Sequence, residues 1–220
     1  MVQPDKIVRS DRKTLSISVD CFGRLIVRAP RRCSEEKIAS FLREKEGWIL
    51  RHQAKKAGAG ESLPPENLDG FSFLLLGKPH VVRLWEGKKI SYDQQNFQLF
   101  VPRDNPHGRI TKWLKENAKR IFLKLATERA AQIGVSFPSL TVNSASSRWG
   151  SCSYNGALHF SFRLIYAPRE MIDYVVVHEL SHILHHNHSA AFWAAVERVL
   201  PDYRPKRAWI KDRGYLLHIF

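Results

Sequence analysis

The run His178-Glu179-Leu180-Ser181-His182 sets two imidazoles four residues apart, with a carboxylate beside the first. On a helix that interval brings both rings to one face, about one turn apart. Two such rings can grip a single Zn²⁺, and Glu179 then stands next to the open coordination position, where a carboxylate serves as general base. The same five-residue pattern also arises by chance on solvated helix faces. Two features of this chain argue against that bland reading. His178 follows the apolar run Val175-Val176-Val177, and five of the ten histidines fall between His178 and His188.

The elements that must position these groups are legible around them. Pro168 suits a first helical turn, where its missing N–H costs nothing, and Glu170 and Asp173 carry the sign a helix N-terminus favours. Ile172, Val175, Val176 and Ile183 recur at helical intervals, which predicts a helix from Pro168 to about His185. Its β-branched run lowers intrinsic propensity, so tertiary packing must hold it.

A catalytic zinc commonly has three protein ligands plus water. His185, His186, His188 and Glu197 are the candidates for the third. On a continuing helix His185 lies roughly 20° from His178 in azimuth but about 10 Å further along the axis, too far to share a metal. His186 pairs with His182 yet leaves Glu179 poorly aimed. His188 requires the chain to turn, and Asn187 is a residue that tolerates a left-handed cap. Ser189 then caps a second helix, Ala190 to Leu200, stopped by Pro201. His188 is favoured on this ground, with Glu197 as its rival.

Longer motifs surround the core pattern. Ser147-Arg148-Trp149-Gly150-Ser151-Cys152-Ser153 precedes Arg163-Leu164-Ile165 and Ala167-Pro168. The segment Tyr174 to His182 is followed by Asn187-His188-Ser189, Phe192-Trp193 and Pro201-Asp202-Tyr203. Together with Arg9-Ser10-Asp11-Arg12-Lys13-Thr14-Leu15-Ser16-Ile17 and Val27-Arg28-Ala29-Pro30, this resembles the YgjP-like metallopeptidase family, relatives of the SprT-like zincins, over nearly the whole chain. The resemblance implies a zincin-like core, zinc held by His178, His182 and His188, Glu179 as the catalytic residue and a peptide or protein substrate. The chain departs from the family pattern at Phe162, where tryptophan is expected, and at Ser161, where asparagine is more usual.

In Ser147–Ser153, Arg148 is the candidate for stabilising charge on a scissile carbonyl oxygen; a structural ion pair is the alternative. Trp149 reads as core and Gly150 as a turn residue. Cys152 reads as a small buried residue, and Phe192 and Trp193 read as packing. Tyr166 and Tyr203 are further oxyanion candidates. The strands expected near 139–147 and 157–163 are candidates for a sheet edge that pairs with extended substrate.

The remaining chain predicts an α+β fold, with a β-rich half preceding the metal helix. A hairpin is expected from residues 14–19 and 24–28 around Phe22-Gly23, then a helix from Glu35 to about Lys56 capped by Ser34. Ala57 to Gly70 reads as a linker, separating residues 1–70 from 71–220, unless the two form one continuous domain. Strands near 72–76, 80–85, 88–92 and 97–101 and a helix from Gly108 to Ile133 follow.

No apolar run approaches the ~20 residues that span a bilayer, and the N-terminus lacks the apolar stretch of a signal peptide. Three cysteines without a CxxC pair fit a reducing compartment and speak against a thiolate zinc site, so a cytoplasmic location is expected. The net charge of +14 divides evenly, at +7 for residues 1–110 and +7 for 111–220, so no tail explains it. Such a charge attracts polyanions, but no nucleic-acid-binding motif is visible, and a solvated basic surface is the simpler account. The leading expectation is a zinc-dependent peptidase. A DNA-associated SprT-like protease and a non-catalytic metal-binding protein are the alternatives.

Overall fold

The computed structural model describes residues 2–20, 23–56, 64–217 and 219. The chain divides into two compact units, Met1–Leu63 and Pro64–Phe220. The fold is α+β.

In the first unit, β1 (Lys6–Ser10), β2 (Ser16–Val19) and β3 (Leu25–Pro30) form a sheet in the order β1-β3-β2. The expected hairpin is β2 and β3, antiparallel with Ile17 opposite Val27; the β1–β3 pair is parallel. Residues 21 and 22 of its turn lie outside the described residues, and Gly23 takes φ +79°, which glycine adopts without steric cost. The single helix expected after Ser34 is instead two, α1 (Glu35–Glu44) and α2 (Glu46–Lys56), broken at Lys45. Ile38 and Leu42 of α1 and Ile49 of α2 share one small core with Leu25, Val27 and Ala29, so the break serves packing.

The second unit opens with β4 (Ser72–Leu75), β5 (Lys78–Trp85), β6 (Ser91–Asp93) and β7 (Gln98–Pro102), in the order β4-β5-β7-β6. Part of the expected linker, 57–63, lies outside the described residues. The rest belongs to this unit, since Leu68 is fully buried in its core.

The long helix α3 (Pro106–Ile133) is capped by Asn105, whose side chain accepts the Gly108 N–H, and stops at Gly134 in the left-handed conformation. A second sheet contains β8 (Leu140–Asn143), β9 (Gly150–Cys152) and β10 (Leu158–Ser161), in the order β8-β10-β9. Neither strand expected here runs its full length. The first stops at Asn143. The second gives way at Phe162 to a 3₁₀ turn, Phe162–Tyr166, that buries Phe162, Leu164, Ile165 and Tyr166.

Helices α4 (Arg169–Leu184), α5 (Ala190–Val199) and α6 (Tyr203–Arg213) complete the unit. The sheet ahead of α3 sets where α4 begins. Leu76 and Gly77, in the β4–β5 turn, donate backbone N–H groups to the Ile165 and Tyr166 carbonyls. Gly77 has φ +77° and lies so close to Pro168 that a Cβ would sit 2.9 Å from its Cα. Among the described residues, no helix is long and apolar enough to cross a membrane.

Candidate metal centre

Helix α4 is buried on nearly every side: Ile172 to Val177 and Glu179 to Ser181 are all buried. A helix apolar around most of its circumference is held by its neighbours rather than by propensity. One neighbour is α3, whose Arg129 forks onto the buried Asp173, with Nε 2.8 Å from one carboxylate oxygen. The four-residue interval does what it predicts, and the His178 and His182 ring centres are 5.0 Å apart.

The chain then reverses. Helix α4 ends at Leu184, and His185 is extended with φ −139° and ψ 106°. Asn187 is not left-handed, contrary to the expectation. The positive-φ non-glycine residues among those described are Leu76, Phe97 and Asn105. Asn187 instead accepts the Ser189 N–H through its side chain, a local turn that asparagine forms readily. Ser189 caps α5 by accepting the Phe192 N–H. This path returns His188 to the helix, with its Nε2 3.1 Å from His178 Nε2 and its ring 4.8 Å from that of His182.

Phe192, fully buried, lies beneath all three rings at 5.0, 4.6 and 4.9 Å from His178, His182 and His188. Trp193 stacks on His188 at 5.7 Å. It also stacks on Tyr203 at 5.2 Å, and the Arg207 guanidinium lies 4.2 Å from its ring centre. The packing role read for Phe192 and Trp193 is therefore packing against imidazoles.

Glu179 leaves α4 toward β9 and is only 6% exposed. Gly150 makes room for it: a Cβ there would lie 2.6 Å from Glu179 Cγ and 2.7 Å from Oε1. Gly150 is thus a strand residue opposite a side chain, where a turn was expected. Burial pushes the Glu179 carboxyl up to about 8, while the Arg148 charge and a hydrogen bond from the Cys152 backbone N–H pull the other way. Arg148 is exposed and makes no ion pair among the described residues, so the structural-pair alternative finds no partner. Burial also raises the Cys152 thiol.

The other candidates lie apart. The His185 carbonyl receives His182 Nδ1 at 3.0 Å, His186 stacks on the exposed Tyr154, and Glu197 pairs with Arg204 at 3.0 Å. Tyr166 is fully buried between Phe73 and Phe162, and Tyr203 lies against Trp193. Neither strand proposed as the substrate edge flanks Glu179: β10 is central, and the edge there is the unforeseen β9. Tyr174 was also missed. It sits one turn before His178 on the same face, with ring centres 5.9 Å apart, a relation its four-residue spacing could have revealed. Burial pushes its phenol up to about 12, so it stays a neutral donor.

The donor set fits a divalent metal. One ligand atom from each of His178, His182 and His188 lies within 4.8 Å of the others. Tetrahedral zinc at about 2 Å from each nitrogen holds two ligands roughly 3.3 Å apart, close to the His178–His188 spacing. The bond from His182 Nδ1 to a carbonyl assigns its proton there and leaves Nε2 with a lone pair, the usual support for a ligating histidine. No described group pairs with the buried Nδ1 of His178. Burial first, then the charges of His182, His188 and Arg207, lowers His178 to about 3, and burial lowers His182, so both rings are neutral and able to ligate.

No curated protein matches the chain. Among solved structures, the crystal structure of the metallopeptidase zymogen of Pyrococcus abyssi abylysin is similar, with a TM-score of 0.37 and 23% identity, covering 41% of this chain and 93% of that one. The family model described as YgjP-like, metallopeptidase domain matches residues 13–213, and the chain belongs to that family.

Proposed function

We propose that the protein is a zinc peptidase of the HExxH type, with His178, His182 and His188 as ligands and Glu179 as general base. The observation that supports this most is the meeting of three imidazoles beside a buried carboxylate carried by the helix of two of them. Zinc bound there would supply Lewis acidity toward a peptide carbonyl and make water acidic near neutral pH. Glu179 takes a proton from the attacking water and passes it to the departing nitrogen. Its low exposure keeps bulk water from competing, and its high proton affinity suits a group that must hold the proton between the two transfers. Arg148, whose charge acts on Glu179, is our candidate for steadying the negative carbonyl oxygen. Strand β9 offers main-chain groups to an extended peptide.

Metal analysis beside a peptide-cleavage screen tests this reading. Wild type is expected to carry one zinc per chain and cleave. Glu179→Gln should keep the zinc and lose cleavage, and His182→Ala should lose both. Cleavage by Glu179→Gln at the wild-type rate would refute the mechanism.

A further inference from the structure

Arg207 leaves α6 one turn after Tyr203 and lays its guanidinium on the Trp193 indole. Trp193 also touches the His188 and His178 rings, so a single indole separates Arg207 from the imidazole cluster. The charge of Arg207 is felt at His178 and at Tyr174, one helical turn before it.

The neighbouring cations are matched. Arg204 pairs with Glu197, and Lys206 pairs with Asp202. Arg207 has no such partner among the described residues; it is exposed, with its guanidinium carbon 4.2 Å from the Trp193 ring centre. A guanidinium held over an indole face by cation–π attraction keeps its N–H groups free for the fork that matches a carboxylate. Pre-organisation of this kind reduces the entropy lost when an anion binds.

The remaining charges near the imidazoles agree with this. Arg148, whose charge acts on Glu179, is also exposed and forms no ion pair among the described residues. Two cations, Arg148 and Arg207, thus act on the groups of the site, on Glu179 and on His178 respectively.

We propose, building on the peptidase reading above, that Arg207 is a carboxylate receptor of the cleft. The preferred substrates then present an acidic side chain or a free C-terminus on the His188 side of the scissile bond. A forked guanidinium–carboxylate contact is the stronger kind of hydrogen bond and is directional, so it sets register as well as affinity.

The test measures binding rather than turnover. Zinc-loaded Glu179→Gln protein is titrated into dye-labelled octapeptides of alanine and glycine, followed by anisotropy. One glutamate is walked through the positions against its glutamine counterpart, and a free C-terminus is compared with its amide. At one position, or at the free terminus, the acid should bind about tenfold tighter than its neutral twin. Which pair shows the gap tells whether a side chain or a terminus is read.

Adding Arg207→Gln should reduce that gap to within about twofold, and Arg207→Lys should keep part of it. Lys119→Gln removes an equal charge from an exposed position on α3 and should leave the gap intact. Equal binding of every pair would overturn the proposal. So would a gap that survives Arg207→Gln, or one that Lys119→Gln reduces as much, which would mark bulk attraction to a basic surface. Zinc content and wild-type turnover judge the peptidase reading separately. A wild type that holds zinc and cleaves without regard to acidic groups would defeat this inference alone.

Discussion

Replacing Gly150 with alanine tests the seating of Glu179 with a single methyl group. The added Cβ would lie 2.6 Å from Glu179 Cγ, 2.7 Å from Oε1 and 2.8 Å from Cδ. Carbon atoms in contact sit about 3.5–4.0 Å apart, so one partner must retreat by roughly 1 Å. Strand β9 is held by its ladder to β10, where Gly150 faces Phe160, and the Glu179 side chain is the softer partner. A displacement of that size in a catalytic group costs about a hundredfold in rate, within the range ascribed to general bases. Overpacking adds about 1–3 kcal/mol of destabilisation. Alanine is intrinsically better than glycine in a strand by about 0.5–1 kcal/mol, so a net loss reports the clash alone. The assay is kcat/KM on a cleavable peptide with zinc content measured alongside, plus Tm for Gly150→Ala, Glu179→Ala and the double variant. Zinc should be retained, and Gly150→Ala should cost little once Glu179 is truncated, because the colliding atoms are gone. An equal fall in Tm in both backgrounds, or an unchanged kcat/KM, would refute the argument.

Acid and alkali should both weaken the metal-free protein, through different residues. His178 is lowered to about 3 in the fold, so the unfolded chain takes up its proton first and stability falls as pH drops below about 6.5. Glu179 is raised to about 8, so the folded chain keeps a proton that the unfolded one releases, and stability falls as pH rises from about 4.5 toward that value. Tm against pH in chelator should therefore peak between these limits, and Glu179→Gln should flatten the alkaline side; an unaltered alkaline slope would reject the assignment. Arg129→Ala would strand the buried Asp173 carboxylate on α4, costing about 3 kcal/mol or more in urea unfolding, and Asp173→Asn in the same chain should recover part of it. A loss below about 0.5 kcal/mol, as at an ordinary surface site, would show the pair to be ornamental.

Helices α4 and α5 could be read from the chain because local rules and tertiary packing agree there. Pro168 and Ser189 mark their starts, and the apolar stripe between runs at helical period. The third ligand could be favoured as His188 but not separated from Glu197 for a physical reason: the position of His188 depends on a loop, and loop paths follow side-chain hydrogen bonds more than periodicity. Asn187 shows this, turning the chain through its amide rather than a left-handed backbone. Strand β9 is three residues long, too short for alternation to register. Helix α6 escaped notice because Pro205 and a dense run of basic residues hide its turn pattern. The break at Lys45 left no mark, since both pieces keep the apolar positions of one continuous helix. The contacts of Trp193 with Tyr203 and Arg207 join two helices and have no signature within either.

Because all three imidazoles rest on the one phenyl ring of Phe192, the bite of the site is governed from α5 rather than from the helix that carries two of its donors. A rotation of α5 about its own axis would tilt the trio together, like a tripod on a moving table. Val196, one turn further along α5 and fully buried, becomes a remote adjuster of metal grip. Trimming its volume would act on the chemistry from a distance, without touching any atom that reacts.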